Sequence, residues 1–299
     1  NDETITTREF KVSFAIKIRR CKMLSVSIFS PVIFLIAICA VSNTTAQGRF
    51  SINTSLAAVG GNLSDSSYSM AYYLYGGLRY QAQDYYLSLS LPLVFNSSGS
   101  FTQLGGMYIP NGNGNDSSGS MHGSGSQGSM MNGGMGISNL NAGIGDMYVY
   151  GSYNLIKETN TLPAFSTDGF VKFPTASPSL NIGTGKFDFN LAVSARKFIG
   201  TFSFYVQTGY LFLGNSSEAN IENPITFSVG IGNNFGGGNH LLLIEYDSYS
   251  TVVTGFASPK QLSLGYAYLI SSKLGYTMIG SVGLNNSTSD FTVSAGFNF

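Results

Sequence analysis

Charged and aromatic side chains recur at alternate positions inside apolar stretches of this chain. In the segment "DMYVYGSYNL", Asp146, Tyr148 and Tyr150 alternate with Met147 and Val149. Carboxylate, ammonium, guanidinium and phenol groups can hold a small solute through ion pairs, hydrogen bonds and ring contacts. The residues that share this placement are Tyr73, Tyr75, Arg79, Asp146, Tyr148, Tyr150, Lys172, Asp188, Asn190, Tyr205, Gln207, Glu245 and Asp247. They predict either a surface that contacts solutes or a structural network of hydrogen bonds and ion pairs.

A second group of chemically capable residues lies in the Gly/Ser-rich stretch "NGNGNDSSGSMHGSGSQGSMMNGGMG", residues 111–136. Its thioether and imidazole groups are the soft ligands that suit Cu(I). They belong to Met121, His122, Met130, Met131 and Met135. Because Gly/Ser tracts are flexible, the alternative is a disordered loop whose methionines bind nothing. Both interpretations remain open at this point.

The residue patterns argue against an enzyme. A G-x-S-x-G nucleophile motif is absent, and beyond residue 46 the chain has two histidines, His122 and His240. A serine hydrolase needs a histidine beside a positioned serine. The segments "GKFD" and "GIGNNFGGG" lack the Lys-Ser/Thr pair of a phosphate-binding loop. We therefore predict no catalytic residues, no cofactor and no enzyme activity.

The alternating pattern predicts the elements that position these side chains. Successive residues of a β-strand point to opposite faces, so the apolar residues of "FTVSAGFNF" (Phe291–Phe299) share one face. Most of the predicted strands exceed the average of about five or six residues in soluble proteins and match the 9–11 or so of a tilted membrane strand. Twelve are predicted, near residues 49–59, 68–81, 84–95, 143–156, 164–173, 186–196, 201–213, 224–234, 239–249, 260–270, 274–284 and 290–299. Pro92 lies inside one of them, and we expect a bulge there because proline lacks a ladder donor.

The lengths of the predicted connections alternate along the chain. The even-numbered ones, such as "FIGT", "GGGN" and "SSK", are short, whereas the odd-numbered ones are longer and polar. Outer-membrane barrels have short periplasmic turns and long outer loops. The predicted fold is therefore all-β: a transmembrane, up-and-down antiparallel β-barrel of about twelve strands, of the bacterial outer-membrane type. The polar alternating residues would line its lumen, and the apolar ones would face lipid.

The first 46 residues differ from the rest. A basic segment, "KIRRCK", precedes the apolar run "PVIFLIAICAV" and the small-residue stretch "SNTTAQ". This order predicts a secretory signal peptide cleaved before Gln47, with Met23 as an alternative start and an uncleaved anchor as the alternative fate. The predicted organisation is an extension with signal peptide over 1–46 and a barrel over 47–299, with a long outer loop at about 96–140. We predict location in the outer membrane of a bacterium.

The charges of the exported part limit its partners. Beyond residue 46 there are nine Lys/Arg and twelve Asp/Glu residues, without a basic cluster. Nucleic-acid binding needs such clusters, so we predict no nucleic-acid partner. The C-terminal strand that ends at Phe299 resembles the signal that barrel-assembly machinery recognises. The predicted partners are therefore that machinery, outer-membrane lipid and a small-molecule solute.

Two longer stretches carry a family resemblance. They are "GIGDMYVYGSYNL" (Gly143–Leu155) and "FVKFPTASPSLNIGTGKFDFNLAVSARKFIGTFSFYVQTGY" (Phe170–Tyr210). Their order resembles the outer-membrane family named for the meta-cleavage pathway of phenol degradation, over roughly residues 143–299. The chain has Ala176 where that family often has glycine after Pro-Thr. The resemblance implies a barrel that moves aromatic or other hydrophobic compounds.

Three functional hypotheses follow from these patterns, of which the third, an outer-membrane hydrolase, is disfavoured by the missing motifs described above. The first is a passive channel for small, hydrophobic or aromatic molecules. The second is a structural or surface-interaction barrel with a filled lumen and a metal-binding outer loop. Eight strands leave a filled interior and sixteen an aqueous channel, so twelve strands do not decide. Small inward residues favour the open passage; they are Ser263, Gly265, Ala267, Ser281, Gly283, Ser294 and Gly296.

Overall fold

A computed structural model describes residues 48–62, 68–96, 101–110, 141–177, 182, 185–214 and 221–299. No helix within these ranges has the length and apolarity needed to cross a membrane. The strands are β1 (Arg49–Asn62), β2 (Tyr68–Gln81), β3 (Tyr85–Asn96), β4 (Phe101–Leu104), β5 (Met107–Pro110), β6 (Asn141–Ile144), β7 (Met147–Ile156), β8 (Ala164–Phe173), β9 (Asp188–Ile199), β10 (Phe202–Phe212), β11 (Ile225–Phe235), β12 (His240–Tyr249), β13 (Lys260–Leu269), β14 (Gly275–Gly283) and β15 (Phe291–Asn298).

The strands form a closed antiparallel barrel of twelve positions. Each barrel strand pairs with its neighbours in chain order, and β1 also pairs with β15, from Asn53 opposite Asn298 to Gly60 opposite Phe291. Strands β6 and β7 share one position, since both pair with β3. A closed barrel satisfies every backbone group that would otherwise face lipid unpaired. The predicted fold class is therefore confirmed.

The two ends of the barrel differ in their connections. One end, here called the short-turn end, has turns such as residues 200–201 and 236–239, and it also holds the last residue, because Ile52 N donates to Phe299 O at 3.0 Å. The other end, here called the long-loop end, has connections such as residues 174–187 and 250–259. This difference agrees with the alternation of lengths seen in the sequence. It gives the barrel a direction, with the short-turn end as the periplasmic one in the usual orientation.

The outer surface of the barrel is apolar. Along the strands, large apolar side chains such as Val229 remain exposed. Aromatic contacts occur at both ends: Phe50 and Tyr80 have ring centroids 4.8 Å apart at the short-turn end, and Phe189 and Phe212 are 4.2 Å apart at the long-loop end. An apolar band between two aromatic girdles is the surface that an outer-membrane barrel presents to lipid.

The bulge expected at Pro92 is found in the strand that faces it, because the pairing with β3 shifts by one residue, from Leu93 opposite Ile144 to Ser90 opposite Tyr148. Strand β3 continues in regular register through Pro92, which pairs with Tyr75 of β2. The extra residue lies in this facing strand, which is interrupted at Gly145 and Asp146 between β6 and β7. Gly145 N donates to Pro92 O at 2.8 Å. Because proline offers no N–H in return, the facing strand has no ladder bond to lose at this point.

Strands β4 and β5 form a separate hairpin that lies inside the barrel. It is joined by a turn at Gly105, whose φ of 61° belongs to the left-handed region that glycine adopts readily. The side chains of Phe101, Leu104 and Met107 are fully enclosed. The sequence predicted a long outer loop for this region and gave it no strands. The apolar side chains of "FTQLGGMYIP" need burial from water, and the lumen supplies it.

Candidate functional site: the barrel lumen

The lumen-facing residues can be followed around the wall by strand register, since paired residues of antiparallel strands lie on one face. Tyr73 contacts the enclosed hairpin and pairs with Ala57, which pairs with Ser294. Ser294 pairs with Ile279, and Ile279 with Gly265. The structure places on this inner face all of the alternating polar and aromatic residues that the sequence assigned to the lumen. The lumen-facing residues as a whole occupy three levels between the long-loop end and the short-turn end.

At the level nearest the long-loop end, wall tyrosines bind the β4–β5 hairpin. Tyr148 Oη donates to Gln103 O at 2.8 Å, and Tyr249 Oη donates to Leu104 O at 2.9 Å. Tyr75 Oη donates to Gln103 Oε1 at 2.9 Å. Gly106 N returns a bond to Tyr249 Oη at 3.3 Å. The hydroxyls of these three tyrosines therefore hold both the backbone and a side chain of the hairpin.

Apolar contacts fix the hairpin between two walls. Phe101 packs with Val59 and Val94, on the wall formed by β1, β2 and β3. Met107 packs with Leu211 and with other residues of the wall around β10 and β12. These two walls lie opposite each other in the order of barrel strands. The hairpin therefore crosses the lumen and fills it at this level.

A buried ion triad lies beside the hairpin. Lys172 Nζ is 3.4 Å from Asp146 Oδ2 and also contacts Asp188 Oδ2, and all three side chains are almost fully enclosed. Asp188 Oδ1 accepts from Gly214 N at 2.8 Å, and Asp146 Oδ1 accepts from Ala176 N at 3.0 Å. The triad thus joins the interruption between β6 and β7, strand β8 and strand β9, and it also binds two connections of the long-loop end. Three of the residues predicted for solute contact are therefore engaged with one another.

Below the hairpin, a level of carboxylates lines the wall from β8 to β12. Asp168 accepts from Ser194 Oγ at 2.5 Å and from Gln207 Nε2 at 3.2 Å. Asp168, Glu245 and Asp247 all interact electrostatically with the Tyr205 side chain. Asp168 was not among the lumen residues predicted from the sequence, because small and polar residues occupy both faces of the strand around it, in "FSTDG", and obscure the alternation.

Asp247 is held in the same manner as Asp168, by a serine and a glutamine. It accepts from Ser228 Oγ at 2.5 Å and from Gln261 Nε2 at 3.1 Å. Glu245 lies one inward position further along β12. Within the described part of the chain, no Lys or Arg nitrogen lies within 4.0 Å of these two carboxylates or of Asp168.

Basic and aromatic groups face the carboxylates at the same depth. The guanidinium of Arg79 lies over the ring of Tyr86, 4.2 Å from its centroid. Arg79 Nη2 also donates to Gln81 Oε1 at 3.1 Å. Arg196, which the sequence-based set omitted, pairs with Tyr205 across strands β9 and β10 and therefore faces inward. The lumen thus carries both charge signs.

The level nearest the short-turn end contains an apolar patch, which we define as Leu241, Leu243 and Ile279. Leu243 and Ile279 both pair with Gly265 on the inner face. Although it points inward, Ile279 is 44% exposed. The sequence analysis missed the patch because "HLLLIEY" has consecutive apolar residues, so alternation cannot assign their faces.

The exposure of lumen residues changes along the barrel. Tyr73 and Tyr148, at the hairpin level, are each 2% exposed. Tyr205, Glu245 and Ile279, further toward the short-turn end, are all accessible to solvent. Water therefore reaches the lumen from the short-turn end as far as the carboxylate level. The lumen is closed by the hairpin and open below it.

The predicted copper ligands cannot be placed, since Met121, His122, Met130, Met131 and Met135 lie outside the described residues. Among the residues that are described, no group of three or more His, Cys, Asp or Glu side chains is arranged to hold a metal ion. His240 Nδ1 lies 2.8 Å from Tyr266 Oη, and its ring stacks on Phe235 and Tyr268. Its environment is an aromatic cluster at the short-turn end rather than a serine–histidine pair.

Comparisons with known proteins agree with this architecture. A family model described as "Putative MetA-pathway of phenol degradation" matches residues 47–299. An outer membrane channel from Pseudomonas putida F1 superposes with a TM-score of 0.54 at 12% identity, over 86% of this chain and 96% of that one.

Two further solved structures are similar at lower scores. The KdgM porin gives a TM-score of 0.47 at 10% identity, over 83% of this chain and 98% of that one. The outer membrane phospholipase A from Escherichia coli gives a TM-score of 0.41 at 10% identity, over 87% of this chain and 93% of that one. The curated proteins contain no match. At such identities, structural similarity establishes the fold alone.

Proposed function

The chain belongs to the family described as "Putative MetA-pathway of phenol degradation", and from this premise we propose that it is a passive outer-membrane channel for small hydrophobic or aromatic molecules. One observation carries the proposal: the patch of Leu241, Leu243 and Ile279 is apolar yet faces a lumen that water can enter. Exposed apolar surface inside a barrel is costly unless it serves a contact. A solute with an apolar group gains by covering it.

The proposed mechanism is diffusion down a concentration gradient. The apolar patch offers one wall to the hydrocarbon part of the solute, and the rings of Tyr86 and Tyr205 offer further contact area. Carboxylates and Arg79 at the same depth interact with the polar part. We also propose that a signal peptide within residues 1–46 directs export of the protein, and that the C-terminal strand directs assembly of the barrel in the outer membrane.

The substrate class is tested by uptake into liposomes that contain the purified barrel. We compare phenyl glucoside with methyl glucoside, which share a sugar that crosses lipid slowly and differ in the apolar group. We expect the phenyl compound to enter at least as fast despite its larger size. In the variant Leu243→Asn/Ile279→Asn this preference should fall about fivefold, because roughly 40 Å² of apolar contact is worth about 1 kcal/mol.

Thr277→Asn is the matched control, because Thr277 faces the same open part of the lumen without belonging to the apolar patch. Its preference should equal that of the unchanged protein. If methyl glucoside enters faster through all three proteins by the same factor, the lumen sorts solutes by size and the proposed hydrophobic class is wrong.

The unpaired carboxylates predict a preference for cations over anions. Glu245 has no basic group within 4.0 Å among the described residues, and its carboxyl group is accessible to water in the lumen. In a planar bilayer with a KCl gradient, we expect a reversal potential of the sign that a greater permeability to K⁺ than to Cl⁻ produces. Glu245→Gln should move it toward zero, whereas Glu158→Gln, in a turn at the short-turn end, should leave it unchanged. Anion selectivity of the unchanged protein would contradict this prediction.

A second candidate function is supported by the hairpin itself. Because β4 and β5 fill the lumen at one level, a structural or surface-interaction barrel that conducts nothing fits the same geometry. We propose no enzyme activity, because the His240 side chain is bonded to Tyr266 and stacked between two rings. Conductance separates the channel from the filled barrel.

A further inference from the structure

The β4–β5 hairpin is structurally independent of the barrel that surrounds it. Its two strands pair with each other and with no barrel strand. Across the described ranges, one backbone hydrogen bond joins it to the barrel, from Ser289 N to Tyr108 O at 2.9 Å. The hairpin can therefore leave the lumen without breaking any of the ladders that close the barrel.

Side-chain hydroxyls supply most of the polar attachment. Tyr148 and Tyr249 donate to the carbonyls of Gln103 and Leu104, and Tyr75 donates to the side chain of Gln103. Each tyrosine belongs to a different barrel strand, β7, β12 or β2. Bonds of this kind are individually weak, so that the loss of one changes an equilibrium by about fivefold. Together they favour the closed position without making it permanent.

The hairpin also separates two parts of the lumen that differ in accessibility. On the short-turn side, the carboxylates and the apolar patch are reached by water, whereas the wall at the hairpin level is enclosed by the hairpin together with residues of the long-loop end such as Ile182 and Val252. The wall that it covers includes Val59, Val94 and Leu211. Removal of the hairpin would add this apolar surface to the passage.

We infer that the β4–β5 hairpin is a gate, latched by the hydroxyls of Tyr75, Tyr148 and Tyr249, and that it moves as a unit to open the lumen toward the long-loop end. The inference rests on the proposed channel function. In the latched state the hairpin blocks the lumen between opposite walls. In the open state the apolar walls become available to the same hydrophobic solutes that the lower patch contacts, so such solutes favour opening.

The test is single-channel recording of the full barrel in planar bilayers. In Tyr75→Phe/Tyr148→Phe/Tyr249→Phe, which keeps the rings and removes the hydroxyls, the open-to-closed ratio should rise roughly 100-fold, following about fivefold for each hydroxyl removed. Tyr249→Phe alone should raise it about fivefold. Tyr246→Phe is the control, because Tyr246 lies on β12 like Tyr249 but on the outer face, paired with Val229, and it should leave the ratio unchanged. Replacing residues 101–110 with a short Gly/Ser linker should give a permanently open channel.

The outcomes separate the gate from the channel. If the unchanged protein, the triple variant and the linker variant conduct equally, the channel stands and the gate is wrong. If the linker variant opens but the triple variant does not, the tyrosine latch is wrong. If none of them conducts while each migrates as a folded, heat-modifiable barrel, the proposed channel function itself is overturned, and the gate with it.

Discussion

Replacing Lys172 with methionine should destabilise the folded barrel by about 3–5 kcal/mol, the usual cost of removing one partner from a buried ion pair. Lys172 is 1% exposed and is the basic member of the triad with Asp146 and Asp188. Without it, two enclosed carboxylates face each other in a region that water does not reach. The measurement is urea unfolding in detergent, followed by the mobility of folded and unfolded forms on a gel.

The control is the exposed ion pair at the short-turn end. Lys157 Nζ lies 2.8 Å from Asp84 Oδ1, but the two side chains are 62% and 37% exposed. Because solvent screens such pairs, Lys157→Met should change the free energy of unfolding by less than about 1 kcal/mol. Equal losses from both lysine variants would show that burial does not determine the role of Lys172.

A charge rescue sharpens this test. Asparagine at position 188 keeps an oxygen that can accept from Gly214 N, a bond of 2.8 Å in the structure, but carries no charge. We therefore expect Lys172→Met/Asp188→Asn to recover part of the stability that Lys172→Met loses. If the double variant is no more stable than the single one, uncompensated charge is not the cause of the loss.

Placing arginine on the outer face of the barrel should also have a large effect. Val206 lies near the middle of β10 and its side chain points outward, 42% exposed. In lipid, Val206→Arg should destabilise the barrel by about 2–4 kcal/mol, the range found for basic residues at the midplane of membrane barrels. The measurement is the same urea titration, carried out with the barrel in phospholipid bilayers.

The adjacent residue provides a control at the same depth. Gln207 points inward, and its Nε2 lies 3.2 Å from Asp168 Oδ2, so Gln207→Arg places the new charge beside a carboxylate. We expect this variant to lose little stability. Similar losses at both positions would contradict the assignment of the two faces, and with it the membrane-spanning barrel.

Alternation was sufficient to predict most of the architecture. Strands such as β3 and β10 alternate regularly, and the structure shows their large apolar side chains, for example Leu89 and Phe204, on the exposed outer surface. Register then follows from the faces, because a shift of one residue would turn every apolar side chain inward. The family resemblance came from residues 143–299, and the family model extends it to 47–299.

The features that were not predicted lack a periodic signal. The strands β4 and β5 have four residues each, too few for alternation to be recognised, and they lie next to a Gly/Ser-rich stretch. The apolar patch was hidden in a continuous apolar run, and Asp168 in a run of small residues. Their positions depend on contacts between distant parts of the chain, which no local pattern contains.

The hairpin inside the lumen also has a mechanical consequence. It contacts Val94 near one wall and Leu211 near the opposite wall, two parts of the barrel that no strand ladder connects directly. It therefore acts as an internal strut that sets the width of the cylinder at this height. When the hairpin leaves the lumen, the two opposite walls are no longer held at a fixed distance and the cross-section of the barrel can become oval. The shape of the wall and the opening of the lumen therefore change together.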